Sequence, residues 1–230
     1  MSNEQQAPVI TIDGPSGTGK GTICHLLAKD LGWHFLDSGA IYRVLAYAAE
    51  QRDIDLKQVN ALVSLAHDLD LQFKGDVDHD IQVLLDGNNI SHAIRTEHCG
   101  QSASKIAEIP EIRAALLARQ RAFATLPGLV TDGRDMGTVV FPEATLKLYL
   151  YASTEERANR RYLQLKKNGN HASLAQVVNE LEKRDARDTA RSHSPLKPAD
   201  DAVLIDTTGL TIKEVYKKVN QCVMQRLPHH

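Results

Sequence analysis

Short apolar runs alternate with helical patterns along most of this 230-residue chain. Such runs are typical of strands buried in a parallel sheet, and they lie at residues 9–12, 34–36, 129–131, 146–151 and 203–205. Apolar residues at helical spacing indicate amphipathic helices at residues 23–31 and 109–123. The alternation predicts an α/β fold with a mainly parallel central sheet flanked by helices.

Three further helices are indicated by capping boxes, in which Ser or Thr is followed three residues later by Glu or Gln. The pairs are Ser153 with Glu156, Ser173 with Gln176, and Thr211 with Glu214. We expect a helix to begin directly after the first residue of each pair.

Residues 62–104 interrupt the alternation. They contain candidate strands at 71–73, 81–85 and 89–90, joined by polar turns at 74–76 and 86–88. This pattern predicts a small antiparallel β insertion rather than a separate domain.

Composition excludes several classes of protein. The chain is 42% hydrophobic and 24% charged, which is typical of a globular protein, and its net charge of −2 argues against a general nucleic-acid-binding protein. The three cysteines are odd in number and far apart, which favours reduced thiols over a disulfide framework. No apolar run is long enough for a signal region or a membrane helix. We therefore expect a cytoplasmic protein with no membrane or nucleic-acid partner.

A glycine-rich stretch between the first strand and the first helix has the spacing G-x-x-x-x-G-K, which is typical of a phosphate-binding loop (P-loop). Glycines let the main chain approach an anion, and the N–H groups of the loop and of the following helix bind it. Lys20 would place its charge on the outer phosphates of a nucleotide. The candidate residues are Gly14, Pro15, Ser16, Gly17, Thr18, Gly19, Lys20, Gly21 and Thr22.

The residue after the lysine departs from the usual P-loop pattern. Ser or Thr normally stands there and binds Mg²⁺, whereas this chain has Gly21 followed by Thr22. This ending resembles that of the nucleoside monophosphate kinases. The histidines and cysteines form no cluster with metal-ligand spacing. We expect no direct protein ligand to a metal, and Mg²⁺ bound through ATP phosphates and water.

Three other segments carry unusual polar content: residues 36–43, residues 131–137, and the trio Arg184, Asp188 and Arg191 at helical spacing. Alone, each has an ordinary explanation. The trio fits a solvated helix face, the second segment fits local turn chemistry, and Arg43 fits a surface residue. Beside a phosphate-binding loop, however, the arginines fit a clamp for a second phosphate group.

Together these segments resemble bacterial cytidylate kinases over nearly the whole chain. The matching segments are residues 11–17, 36–43, 120–123, 132–142 and 184–191, of which the one beginning at Asp132 is the most discriminating. The resemblance implies a P-loop kinase fold in which ATP phosphorylates CMP and dCMP. It divides a single domain, 1–230, into a core (8–61, 105–152 and 202–227), a monophosphate-binding insertion (about 62–104) and a helical lid (about 153–192).

The resemblance also assigns roles to residues. Ser104, Arg113 and Asp135 would contact cytosine, Arg184 and Asp188 the ribose, and Ser38, Arg43, Arg134 and Arg191 the acceptor phosphate. Arg157, Arg160 and Arg161 would belong to the lid over ATP. Catalysis would rest on Lys20, Arg134, Arg191, Arg157 and Arg161. We expect a monomer whose partners are its small-molecule substrates.

Two rival interpretations stay open, and a third is disfavoured. The chain fits another small-molecule kinase, acting for example on AMP, UMP or shikimate, and it fits a nucleotide sensor without catalysis. A GTP-dependent switch is disfavoured, because the guanine-binding pattern N-K-x-D is absent from the sequence.

Overall fold

The computed structural model describes residues 7–74, 82–167, 169 and 172–227. Its strands are β1 (Val9–Asp13), β2 (His34–Asp37), β3 (Leu71–Lys74), β4 (Gln82–Leu85), β5 (Asn88–Asn89), β6 (Leu129–Gly133), β7 (Leu146–Tyr151) and β8 (Val203–Asp206). Its α-helices are α1 (Lys20–Leu31), α2 (Ser38–Gln51), α3 (Val59–Asp68), α4 (Glu97–Ile106), α5 (Pro110–Arg121), α6 (Thr154–Lys167), α7 (Leu174–Ala190) and α8 (Ile212–Arg226). A 3₁₀-helix (Ala93–Arg95) and a π-helix (Met136–Val140) complete the set.

The central sheet is parallel, in the order β2-β6-β1-β7-β8. Its middle strands, β1 and β6, are buried along their whole length, which explains their continuous apolar runs. The register pairs Asp132 with Ile12 on one side and with Asp37 on the other. The carboxyl ends of β1, β2 and β6 therefore meet at one edge of the sheet, and this is where ligands bind in open α/β sheets.

Helices cover both faces of this sheet. On one face, α1 and α8 pack against β1 and β7 through Ile23, Leu27, Val215 and Val219. On the other, α2 packs with α3, α4 and α5 in a core that includes Leu45, Leu62, Ile106 and Leu116. The α/β prediction is confirmed.

The predicted antiparallel insertion is present as the three-stranded sheet β3-β4-β5. Ile81 and the turn residues 75–76 lie outside the described residues. The same region also contains α3 and α4, which the strand pattern did not predict, and the predicted limits 62 and 104 fall inside these helices. The buried face of α4 consists largely of small residues, such as Gly100, Ala103 and Ser104, and therefore gives a weak hydrophobic signal.

Helix boundaries differ from the sequence prediction in three places. First, α1 begins at Lys20 rather than Ile23, because the P-loop leads directly into its first turn. Second, α7 ends at Ala190, so Arg191 follows the helix instead of sharing its face. Third, the boxes at Ser173 and Thr211 are complete, but the one at Ser153 is half formed.

The reason for the incomplete box lies in competing partners. The Ser153 N–H donates to Thr208 Oγ1, and the Glu156 carboxylate pairs with Arg160.

Candidate active site

The loop between β1 and α1 depends on glycine at two positions of close approach. At Gly14, where φ is +144°, a Cβ atom would lie 2.0 Å from the carbonyl oxygen of Leu150. At Gly17, where φ is +82°, it would lie 2.9 Å from the Cβ of Arg157. The loop is therefore packed tightly against β7 and α6. The other candidate residues of the P-loop continue through Gly19 into the first turn of α1.

Lys20 is buried at the start of α1. Its Nζ donates to the Pro15 carbonyl, 3.1 Å away, so the side chain folds back over the loop. Burial, and next the positive charge of Arg134, lowers the pKa of Lys20 to about 7.

Two carboxylates stand beside Lys20 at the ends of neighbouring strands. Asp132 is buried, and its Oδ1 has no hydrogen-bond partner among the described residues. Burial, followed by the charge of Asp37, raises the pKa of Asp132 to about 7. Asp132 was absent from the candidate list, although its position at a strand end beside Asp37 was a usable signal.

Arg134 links the P-loop to the helix α7. Its Nη2 donates to Ser16 Oγ at 2.7 Å, and its Nε donates to Asp188 Oδ2 at 2.9 Å. Arg191 pairs with the other oxygen of Asp188. Asp188 is only 1% exposed, so the interpretation of the trio as a solvated helix face is wrong.

The charges in this cluster act on each other. Burial alone would raise the pKa of Asp188, but Arg134, Arg191 and Arg184 hold it below its usual range. Burial, and next the like charge of Arg134, lowers the pKa of Arg184 to about 10. The Nε atoms of Arg184 and Arg191 are buried without partners among the described residues. The cluster therefore carries excess positive charge and unused donors, as an anion site requires.

Ser38 and Arg43 lie at the same end of the sheet, on α2. Ser38 is buried and donates to Gln120 Oε1 at 2.8 Å. The charge of Arg43 acts on the pKa values of both Asp132 and Arg184, which places it near both. Gln120 is a partner that the candidate list lacked.

Two of the three candidates for base contact form an ion pair, and Arg113 also donates to the Ala107 carbonyl at the end of α4, the helix that carries Ser104. Arg113 pairs with the Asp135 carboxylate, and its guanidinium carbon lies 5.7 Å from the centre of the Tyr42 ring. Ser104 is buried on α4, and its Oγ has no partner within the part of the chain that the structure describes. These groups can offer a carboxylate, a guanidinium and a hydroxyl to a flat polar ligand.

Asp13 was also missing from the candidate list. Its carboxylate accepts from the N–H groups of Met136 and Gly137, at 2.9 and 2.8 Å. Burial raises the pKa of Asp13 to about 6, against the opposing effect of these two bonds. The two acceptors thus tie β1 to the residues that follow Asp135.

The arginines of α6 make different contacts. Arg157 is buried against the P-loop, donating to the Ser16 carbonyl at 3.2 Å and pairing with Asp185 at 2.6 Å. Arg160 bonds to the carbonyls of Thr207 and Leu210. Arg161 pairs with Glu97 on α4 at 2.6 Å, so it connects α6 with the insertion.

The glycine-rich loop and its buried lysine thus lie beside a group of buried arginines, which Arg134 connects to the loop. Both lie at one edge of a parallel sheet with the strand order β2-β6-β1-β7-β8. The fold and the site place the chain among the P-loop kinases. None of the helices in the described part of the chain has the length and apolar character needed to span a bilayer.

Comparison with known proteins identifies the family. The cytidylate kinase family model matches residues 10–225. A cytidylate kinase from Shewanella denitrificans is 55% identical over 216 residues, covering 94% of this chain and 95% of that protein. One from Aeromonas hydrophila is 55% identical over 223 residues, covering 97% and 96%. One from Stutzerimonas stutzeri is 54% identical over 220 residues, covering 95% and 96%. The chain belongs to the cytidylate kinase family.

Solved structures agree at the level of the fold. A crystal structure of an uncharacterized protein from Eubacterium ventriosum superposes with a TM-score of 0.53, covering 96% of this chain and 100% of that one. The two sequences are 11% identical, so this likeness concerns the fold alone.

Proposed function

We propose that this chain transfers the γ-phosphoryl group of ATP to CMP and dCMP, forming ADP with CDP or dCDP. The contacts of Arg134 support the proposal independently of family membership. The Arg134 guanidinium bonds both the P-loop, through Ser16, and the acidic centre of the arginine cluster, Asp188. A donor site and an acceptor site therefore adjoin at one guanidinium, as direct transfer between two phosphates requires.

On the donor side, residues 14–22 hold the ATP phosphates with main-chain N–H groups. Lys20 is protonated when these anions bind, and its charge stabilises the phosphoryl group in transit. The lowered pKa of Lys20 supports this assignment. The nearby carboxylates do not offset the effects of burial and of Arg134, so bound phosphate would add the negative charge that the lysine lacks.

Magnesium fits this site through water. No group of three or more His, Cys, Asp or Glu side chains within the described residues is arranged to hold a metal. The unpartnered Asp132 Oδ1 is, however, suited to accept a hydrogen bond from water of the hydrated ion. Bound Mg²⁺ would neutralise phosphate charge, and the protein would orient its water rather than replace it.

On the acceptor side, we assign Ser38, Arg43, Arg134 and Arg191 to the phosphate, and Arg184 with Asp188 to the ribose. The buried, unpartnered guanidinium atoms in this cluster support the assignment. Ser38 would exchange its bond with Gln120 for a bond to the phosphate.

We assign base recognition to Ser104, Arg113 and Asp135. Cytosine presents an amino donor at N4 and acceptors at N3 and O2, which suit a carboxylate and a guanidinium respectively. Uracil has a carbonyl in place of the amino group and would meet Asp135 acceptor to acceptor. This mismatch disfavours UMP.

Transfer needs no covalent intermediate on the protein. An ionised oxygen of the acceptor phosphate attacks the γ-phosphorus, and the bond to the bridging oxygen of ADP breaks. Arg134 and Arg191 hold the acceptor in line, while Arg157 and Arg161 stabilise charge from the lid. Because no proton must leave the acceptor, a general base is not required.

We further propose that residues 62–104 act as the monophosphate-binding insertion and residues 153–192 as a lid that excludes water. The ion pair between Arg161 and Glu97 supports a direct lid–insertion contact over the site. We also propose that the enzyme acts as a cytoplasmic monomer, since one chain supplies every assigned residue and all three cysteines are free thiols.

An assay of ADP formation across CMP, dCMP, UMP and AMP tests the function. We expect CMP and dCMP to be the best acceptors, with CDP or dCDP appearing in equal amount to ADP. A preference for AMP or UMP would identify a different acceptor. Binding of ATP and CMP without CDP formation would identify a nucleotide sensor.

A further inference from the structure

The π-helix Met136–Val140 directly follows Asp135 and is held at its first residues by Asp13. Each oxygen of the Asp13 carboxylate accepts one main-chain N–H, from Met136 at 2.9 Å and from Gly137 at 2.8 Å. Asp13 is buried, so water does not compete for these bonds.

Arg121, at the end of α5, holds the other end of the same helix. Its Nε donates to the Val140 carbonyl at 2.8 Å, and its Nη2 donates to the Val139 carbonyl at 3.1 Å. The N–H groups of Val139 and Val140 in turn donate to the carbonyl of Asp135, at 2.9 and 3.2 Å. Asp135 is thus hydrogen-bonded into the segment that Arg121 anchors.

Close packing leaves this segment little room to shift. A Cβ atom on Gly137 would lie 2.9 Å from Thr11 Oγ1, so the main chain here lies directly on β1. The Met136 side chain is fully buried, and a Cβ on Gly133 would lie 2.7 Å from its Cγ. Short π-helices of this kind occur often at functional sites.

We propose that Asp13 and Arg121 are positioning residues for base recognition: they hold the two ends of the π-helix, and thereby hold the Asp135 carboxylate against the amino group of the acceptor base. The inference rests on the proposed function, in which Asp135 reads cytosine. Neither residue touches a substrate in this assignment. Asp13 also directly precedes Gly14, so one residue joins the start of the phosphate-binding loop to the base-reading segment.

The test compares kcat/KM for CMP and UMP, at saturating ATP, in the wild type and in matched variants. Asp13→Asn keeps the side-chain size, but its amide accepts only one of the two N–H groups and turns an NH₂ toward the other. Arg121→Ala removes the two hydrogen bonds to the carbonyls of Val139 and Val140. Arg121 is exposed, so this change should disturb the core little. Arg119→Ala is the matched control, because Arg119 also lies in the last turn of α5 and donates to carbonyls, but to those of His67 and Leu69.

We expect Asp13→Asn and Arg121→Ala to lower the CMP/UMP ratio by about tenfold, since small misplacements of a recognition group cost up to about a hundredfold. The KM for ATP should stay within about twofold of the wild type in both variants, because only the segment after Asp135 is released. Arg119→Ala should keep the wild-type CMP/UMP ratio, because Arg119 does not bond to that segment. In an Asp135→Asn background, Asp13→Asn should change the CMP/UMP ratio no further, because the carboxylate that Asp13 is proposed to position is already absent.

A purely structural role would lower activity with both acceptors equally, which would leave the ratio unchanged and overturn the proposal. If Arg119→Ala lowered the CMP/UMP ratio as much as Arg121→Ala does, that result would overturn the proposal as well. If Asp13→Asn does not fold, Arg121→Ala decides alone. Failure of the proposed function is separately visible, because the wild type would then show no preference for CMP.

Discussion

Replacing Asp135 with asparagine removes the charge that we assign to cytosine recognition while keeping the side-chain size. Under this assignment, cytosine donates its amino hydrogen to the wild-type carboxylate, whereas uracil would oppose it with a carbonyl oxygen. An unsatisfied buried pair of this kind costs about 1–3 kcal/mol, equivalent to a preference of about ten- to a hundredfold. The side chains of Asp135 and Arg113 are 5% and 10% exposed, so little water is present to relieve the mismatch.

The asparagine amide removes this discrimination because it can turn either end toward the base. Its oxygen accepts from cytosine, and its NH₂ group donates to uracil. We therefore expect the CMP/UMP ratio of kcat/KM to fall by about ten- to a hundredfold, toward unity. The assay is ADP formation with each acceptor at saturating ATP.

The variant also weakens the ion pair between residues 113 and 135, so a lower melting temperature is expected. Rates are therefore compared below the melting transition, and only the ratio between acceptors is interpreted. Asp200→Asn, at an exposed position, is the control for an ordinary loss of one negative charge. A CMP/UMP ratio within twofold of the wild type in Asp135→Asn would remove Asp135 from base recognition.

Two further predictions concern the buried charges. Lys20→Met should lower kcat by about a hundredfold or more, as loss of a transition-state donor does, while circular dichroism stays native; retained turnover would exclude Lys20 from catalysis. Asp132→Asn should become more stable relative to the wild type as pH rises. The folded-state pKa of Asp132, about 7, lies above the ordinary 3.8, so ionisation opposes folding and wild-type stability falls as pH rises through that interval. The difference between the variant and the wild type, measured by denaturant unfolding without nucleotide or metal, should grow as the pH is raised from 5 to 8. A difference independent of pH would refute this.

The strands of the central sheet were predictable closely, and the largest difference is at β6, which was expected to end at residue 131 and ends at Gly133. Strands β1 and β6 are buried along their whole length and begin as apolar runs, whereas β7 alternates between buried and less buried positions. The helices α3 and α4 were not predicted, because short polar turns nearby dominated the pattern and small residues make up much of the buried face of α4.

For the site, the sequence predicted candidate residues with charged or hydroxyl side chains, but it did not indicate the residues that bond to them. Gln120, which binds Ser38, and Asp13, which binds the π-helix, act through partners more than 80 residues away in the sequence. No local pattern distinguishes such a carboxylate from an ordinary polar residue at a strand end. The roles of the assigned residues stay predictions until the variants above are measured.

The sequence by itself determined the strands of the central sheet, the phosphate-binding loop and the membership of the kinase class, because these follow from local periodicity and from glycine and lysine at fixed spacing. Only the tertiary structure decided that Asp188 is buried between Arg134 and Arg191, and that Asp13 and Arg121 hold the segment after Asp135. The physical reason is that burial, and the hydrogen bonds and pKa shifts that follow from it, arise between segments far apart in the chain, which no local pattern encodes.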